Sequence, residues 1–249
     1  MNRLTLLAVA AGLSLGAYAA NPTGNVAFEL RADSTVCKDA EIGYVAHRYS
    51  VMWPTALFDC PLDSVRQAIV VNAFGEESGN LDKAVAQFMD SETPENPVAA
   101  TFDELRAIEE PYTSFDVNVT VDHLSPQLLV MCTDIYEYYK GAAHGMYGVD
   151  YVNYSTKLNR ILTAENMFRP EAKPQLLAKI NEVAHELYDS ADLPGEIEHV
   201  GSVRITDSHV VIIYQPYEIA TFAAGLIELP IERYVAAEWA NPDVADVLR

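Results

Sequence analysis

Between Ser114 and Asp122 the chain alternates. Phe115, Val117, Val119 and Val121 are apolar, and Ser114, Asp116, Asn118, Thr120 and Asp122 are polar. A period of two puts one face on a core and the other in water, which predicts a half-buried antiparallel strand. Leu124-Ser-Pro126 turns it, and Leu128 to Tyr139 reads as the long return strand. A glycine-punctuated string, Lys140-Gly-Ala-Ala-His-Gly-Met-Tyr-Gly148, leads into a third strand, Gly148 to Tyr154. The three form a meander with tight turns.

Upstream, Val26 to Leu30 and Ile42 to Met52 read as strands. Trp53-Pro54 ends the second, since proline cannot continue a ladder. Cys60-Pro61 opens a helix with Leu62, Val65, Ile69 and Ala73 at helical spacing, stopped by Gly75. Asn80 caps a second, whose apolar side carries Leu81, Ala84, Val85, Phe88 and Met89. Ser91 to Pro97 is a polar loop, and Thr101-Phe-Asp-Glu104 is a capping box. Downstream, Pro174 opens the longest helix, with Leu176, Ile180, Val183 and Leu187 on a stripe that covers the sheet. Ile197 to Thr206 and Val210 to Tyr214 make a hairpin. Leu226 to Ile231 is a last strand, and the C-terminus reads as a frayed helical tail. The pattern predicts an α+β fold of antiparallel sheets covered by helices, in two parts. A small α/β domain spans 21–112 and a second domain spans 113–249.

The first twenty residues change the picture. Arg3, the apolar run Leu4 to Leu15 and the small-x-small Ala17-Tyr18-Ala19 form a secretory signal peptide. The run is shorter than the roughly 20 residues of a membrane span, and polar Asn21-Pro22 follows. The expected mature chain begins near Ala20 or Asn21, has no membrane span and is periplasmic or secreted. The chain has 16 Lys and Arg against 36 Asp and Glu, a net charge of −20, or −21 once Arg3 leaves with the leader. Nucleic acid and anionic membrane are poor partners for that surface, whereas a basic partner is steered toward it. Export permits disulfides. Cys37 and Cys60 lie at element boundaries in one region and form the expected pair. Cys132 lies in the apolar run Leu128 to Cys132 and reads as a buried, inert thiol.

The glycine string and its surroundings resemble a secreted domain of unknown function, number 3298 in its series. It occurs as the extracellular part of RsiV-type anti-sigma factors and beside PdaC-type peptidoglycan deacetylases. Four strings carry the resemblance: Gly141-Ala-Ala-His-Gly145, Tyr151-Val-Asn-Tyr154, Leu162-Thr-Ala-Glu-Asn-Met-Phe168 and Tyr217-Glu-Ile-Ala-Thr-Phe-Ala-Ala-Gly225. It covers roughly residues 115 to 240, with Ala142 in place of a usual glycine. The resemblance implies an envelope protein of α+β build, with lysozyme binding in the RsiV-type receptors and no catalytic residues of its own. Neither a deacetylase domain with its metal motif nor a sigma-binding segment is present in this sequence.

The residues themselves carry no strong chemical motif. His144 lies in a turn flanked by glycines, which favours an imidazole tying the turn to nearby carbonyls over a ligand or base. Tyr136, Tyr138, Tyr139, Tyr147, Tyr151 and Tyr154 crowd the same hairpin. Half of them should face the core, and the rest would form an amphipathic aromatic surface. Asp134, Glu137 and Asp150 are acids near that surface, the residue type of a glycosidase pair. Asp189, Asp192 and Glu196 lack a calcium-loop pattern, and His185-Glu186 lacks the second histidine of a zinc-protease helix. No cofactor or metal motif appears. The expected function is non-enzymatic binding of a protein or glycan, a lysozyme-type muramidase or a peptidoglycan fragment, at Tyr136, Tyr138, His144, Tyr147 and Tyr151. The alternative is an enzyme, or an enzyme accessory, acting on peptidoglycan. The sequence does not define the oligomeric state.

Overall fold

The structure is a computed structural model. It describes residues 26–94, 97–108, 111–189, 193 and 195–249. The leader over 1–20, Asp192 and the middle of the Ser91–Pro97 loop lie outside the described residues. The fold is α+β. A seven-stranded sheet is ordered β3-β1-β2-β4-β5-β6-β7 and a second sheet β10-β9-β8. In chain order the first strands are β1 (Val26–Asp39), β2 (Gly43–Leu57), β3 (Val98–Ala99), β4 (Thr113–Leu124), β5 (Leu128–Tyr138), β6 (Met146–Ser155) and β7 (Arg160–Leu162). The second sheet comprises β8 (Ser202–Ile205), β9 (His209–Tyr214) and β10 (Ile227–Glu232). Two compact units result. One runs to Val119 and takes in Ile135–Met146. The other holds Thr120–Asp134 and Tyr147–Arg249. The units divide within β4 and β5 rather than in a loop.

In the first unit β1 and β2 form a long antiparallel hairpin. Strand β2 continues through Trp53-Pro54, where a stop was expected. The register shifts between Ala27 and Phe28, and Pro54 faces Phe28 beside that shift. A bulge is one of the few places where a ladder tolerates proline. Strand β2 then pairs with β4 in parallel, from Val45↔Thr113 to Val51↔Val119. A parallel neighbour needs a long crossover. It is made by β3 with α1 (Asp63–Phe74), α2 (Leu81–Asp90) and α3 (Phe102–Arg106). Gly75 ends α1 in the left-handed region, Asn80 caps α2 through Lys83 N–H, and the Thr101–Glu104 capping box is formed. Val70, Leu81 and Ala84 bury one helical layer against Trp53 and Phe74.

The expected Cys37–Cys60 disulfide does not form. Cys37 pairs with Val45 near the turn of the hairpin, whereas Cys60 follows Leu57, which pairs with Val26 at the far end. Eleven residues of β1 at about 3.4 Å each separate those ends, far beyond the roughly 7 Å limit between bridged Cα atoms.

The second unit has the larger core. Leu176, Ile180 and Val183 of α5 (Lys173–Leu187) pack with Leu128, Val130, Ile205, Val210, Ile212 and Leu229. Leu187 was expected on this stripe, but it lies at the helix end and is 56% exposed. The remaining helices are α4 (Ala164–Met167), α6 (Arg233–Trp239) and α7 (Pro242–Leu248). The C-terminus is not frayed. Val244, Val247 and Leu248 are buried, and the Arg233 guanidinium donates to the Val247 and Leu248 carbonyls that end α7. Among the described residues no helix is long and apolar enough to cross a membrane.

Candidate functional site

The five tyrosine and histidine positions expected to bind fall into the two units. Tyr136, Tyr138 and His144 belong to the first, and Tyr147 and Tyr151 to the second.

In the first unit the tip between β5 and β6 is built on glycine. Gly141 turns the chain at φ +89°, and Ala142 N–H donates to the Tyr139 carbonyl at 2.9 Å. Tyr136 lies directly over Gly145, where an added Cβ would be 2.4 Å from its hydroxyl. Tyr138 donates to the Ala142 carbonyl at 3.4 Å, and the His144 Nδ1 lies 3.0 Å from the Gly145 carbonyl oxygen. His144 is exposed, so its contact with the turn is made at the surface. Lys140 N–H anchors the tip to the Thr113 hydroxyl at 3.0 Å. Tyr139 meets Phe115 edge-on at 5.3 Å between ring centres. Around this turn Tyr136, Tyr139 and Met146 are 41%, 48% and 42% exposed.

Tyr147 and Tyr151 are engaged within the second unit. The Tyr147 ring meets Phe222 at 5.6 Å, and Phe222 meets Tyr217 at 5.5 Å. Gly225, at φ +74°, leaves room for the Tyr147 hydroxyl. The start of β6 and the late Tyr217–Gly225 string therefore pack together. Tyr151 lies under the Arg204 guanidinium, 5.3 Å from the ring centre, and Arg204 donates two bonds to Asp122 at 3.0 and 2.8 Å. Burial, reinforced by the neighbouring Cys132, raises the Tyr151 phenol above its ordinary range. Burial first, and Asp134 second, push the Cys132 thiol up to about 11, so it stays protonated and unreactive at neutral pH.

The second unit also holds a cavity of about 270 Å³ that the sequence did not announce. Asp150, Asn153, Thr163, Glu165, Gly201 and Glu218 contribute to its wall. Burial raises the Asp150 carboxyl, although Tyr151 N–H donates to it at 2.7 Å and opposes the shift. The Thr163 side chain, with a backbone bond, lowers Glu165. Glu218 accepts from Gln215 N–H at 2.8 Å and faces His199 at 2.8 Å. Asn153 is 1% exposed, and both polar atoms of its amide are bonded. Nδ2 donates to the Val203 carbonyl at 2.7 Å, and Oδ1 accepts from Ile205 N–H at 2.8 Å. Gln215 does the reverse toward β6, bonding Val149 N–H at 3.1 Å and the Val149 carbonyl at 2.7 Å. Two side-chain amides thus stand in for missing strand neighbours. Asn153 was visible in the Tyr151–Tyr154 string, but its role depends on β8, some fifty residues away. Of the acids considered as a pair, Asp134 is exposed on β5, Asp150 lines the cavity and Glu137 belongs to the other unit. Among the described residues no group of three or more His, Cys, Asp or Glu could hold a metal ion.

A two-unit α+β protein with an aromatic hairpin tip and an acidic cavity is the class these features define. Residues 150–234 match the family described as "Protein of unknown function (DUF3298)", and every residue of the cavity wall lies in that segment. Two solved structures share the fold. A DUF3298 family member from Bacteroides fragilis NCTC 9343 is 17% identical, with 91% of this chain and 98% of that chain covered at a TM-score of 0.70. A DUF3298 family protein from Pseudomonas aeruginosa PAO1 is 20% identical, with 89% and 97% covered at a TM-score of 0.60. No curated protein matches the chain.

Proposed function

We propose that this is a non-enzymatic envelope protein, periplasmic or secreted, that captures a protein or glycan ligand at the β5–β6 tip. The observation that carries the reading is the cluster of exposed Tyr136, Tyr139 and Met146 around a glycine-built turn, in a chain of net charge −20. Amphipathic aromatics and methionine are the side chains that interface cores favour. The resemblance to RsiV-type receptors makes a basic, lysozyme-type muramidase the first ligand to test. Charge alone would give weak attraction to any basic protein. Calorimetry at physiological salt should therefore compare a muramidase with a non-homologous protein of similar positive charge. The expected result is selective binding of the muramidase, weakened in Tyr136→Ala and Tyr139→Ala by about 2 kcal/mol each, roughly thirtyfold in Kd. Association should slow as salt shortens the Debye length from about 10 Å at 0.1 M to about 3 Å at 1 M. Equal weak binding of both proteins would end the muramidase reading.

One observation favours the alternative, a peptidoglycan-acting enzyme. Asp150 and Glu165 line one cavity with their proton affinities shifted in opposite directions, the pattern of an acid and a carboxylate partner. Hydrolysis of purified peptidoglycan by the chain alone, lost in Asp150→Asn, would support it. The same variant has a separate stability signature. A carboxyl whose folded pKa is raised stabilises the fold most below its unfolded value, and that contribution is lost as pH rises through the folded value. Asp150→Asn should therefore melt above the parent protein at pH 7, and the gap should close near pH 3. Thermal unfolding at the two pH values checks this.

A further inference from the structure

Strand β1 is fourteen residues long, and β3 covers its outer edge only at Cys37 and Lys38. Val36 adds one bond, its carbonyl accepting Ala100 N–H at 3.2 Å. Backbone groups alternate sides along a strand, so Phe28, Leu30, Ala32 and Ser34 turn their N–H and C=O groups to the same edge as Val36. Among the described residues no strand pairs with that edge from Val26 to Thr35. A long unpaired edge is a template for another strand unless charge or shape blocks it. The charges here are Glu29, Arg31 and Asp33, and Leu30 between the first two is 55% exposed.

We infer that β1 pairs with β1 of a second copy of this chain, antiparallel, with Leu30 on the two-fold axis. In that register Leu30 faces Leu30, Phe28 faces Ala32, and Glu29 faces Arg31 twice by symmetry. Residues opposite each other on one face of an antiparallel pair interact directly, and opposite charges there are favourable. Moving the axis one residue, to Arg31, puts Arg31 against Arg31 and Glu29 against Asp33, both repulsive. Centring on Ala32 would also match charges, pairing Arg31 with Asp33. Its outermost pairs, Phe28 with Val36, need the Val36 carbonyl, which Ala100 already occupies, so that register makes fewer ladder bonds than the one centred on Leu30. The Leu30 register spans Val26 to Ser34 and stops short of β3. Arg31 also reaches Asp82 of α2 at 2.6 Å, with 80% of the Asp82 side chain exposed, a surface pair worth little by itself. The inference is independent of any ligand at the β5–β6 tip.

Sedimentation of the purified protein over a concentration series tests it. The expected result is a reversible dimer. Leu30→Pro removes an N–H that points to the open edge and leaves the β2 ladder intact, so it should give a monomer that melts like the parent. Glu29→Arg and Arg31→Glu each place like charges opposite one another and should raise the dimer Kd about tenfold. The double variant Glu29→Arg/Arg31→Glu restores opposite pairs and should recover the parent Kd. This swap reads the register even if Leu30→Pro fails to fold. A protein that stays monomeric at millimolar concentration overturns the inference. So does a dimer indifferent to the charge reversals, or a double variant no better than the singles.

Discussion

Asn153→Ala should lower stability by about 3 kcal/mol. The side chain is 1% exposed and satisfies two backbone groups, the Val203 carbonyl and Ile205 N–H. Among the described residues strand β8 pairs with β9 alone and is an edge, so without Asn153 these buried groups lose the partner they have on the other side. Each buried polar group left without its partner costs about 1–3 kcal/mol, and a small cavity adds to that. The loss should appear as a lower urea midpoint with an unchanged slope, because the surface exposed on unfolding hardly changes. Asn153→Asp separates the two bonds. At neutral pH a carboxylate still accepts from Ile205 but opposes the Val203 carbonyl. At acid pH its protonated form can donate, so partial recovery is expected there. A loss below about 0.5 kcal/mol for Asn153→Ala would mean that water replaces the amide.

That role shows where reading the sequence succeeds and where it stops. The alternation from Phe115 to Val119 is local, and these residues are buried as their period requires. Caps are local too, and Gly75, Asn80 and Thr101 act where the residue types place them. The errors arise where a distant partner overrides the local rule. Pro54 fails to end β2 because a bulge at the adjoining Thr55 of β2 accommodates it. The last residues form α7 because Arg233 reaches back to cap them. Cys37 and Cys60 are successive cysteines, but a long hairpin carries them to opposite ends. The candidate site divides in the same way. A crowd of tyrosines was visible, but which ones stay outward depended on partners elsewhere. Phe222 takes Tyr147 and Arg204 takes Tyr151, while Tyr136 and Tyr139 remain exposed. The cavity left no local signal, since its wall comes from segments between Asp150 and Glu218.

Gly201→Ala should be about as damaging, roughly 3 kcal/mol, for a different reason. Gly201 precedes β8 and is buried against β9. A Cβ there would lie 2.3 Å from the Ile213 carbonyl oxygen, 3.1 Å from its carbon and 3.0 Å from the Tyr214 ring. The obstacle is mostly backbone, which cannot rotate away as a side chain can, so the strand itself must shift. Overpacking costs about 1–3 kcal/mol, and a backbone collision belongs at the upper end. Gly195→Ala is the control, because nothing lies within 4 Å of the added carbon. It should be neutral, or stabilising by a few tenths of a kcal/mol through the unfolded chain. The two damaging variants should also be coupled. Moving β8 to relieve Gly201→Ala pulls Val203 and Ile205 away from Asn153 and deforms the cavity wall that Gly201 shares with Asp150. Once β8 has shifted, removing the amide removes less, so the double variant should lose at least 1 kcal/mol less than the separate losses added together. Strict additivity in a double-mutant cycle would show that Gly201 acts only on its contact with β9, and that the Asn153 bonds survive the shift.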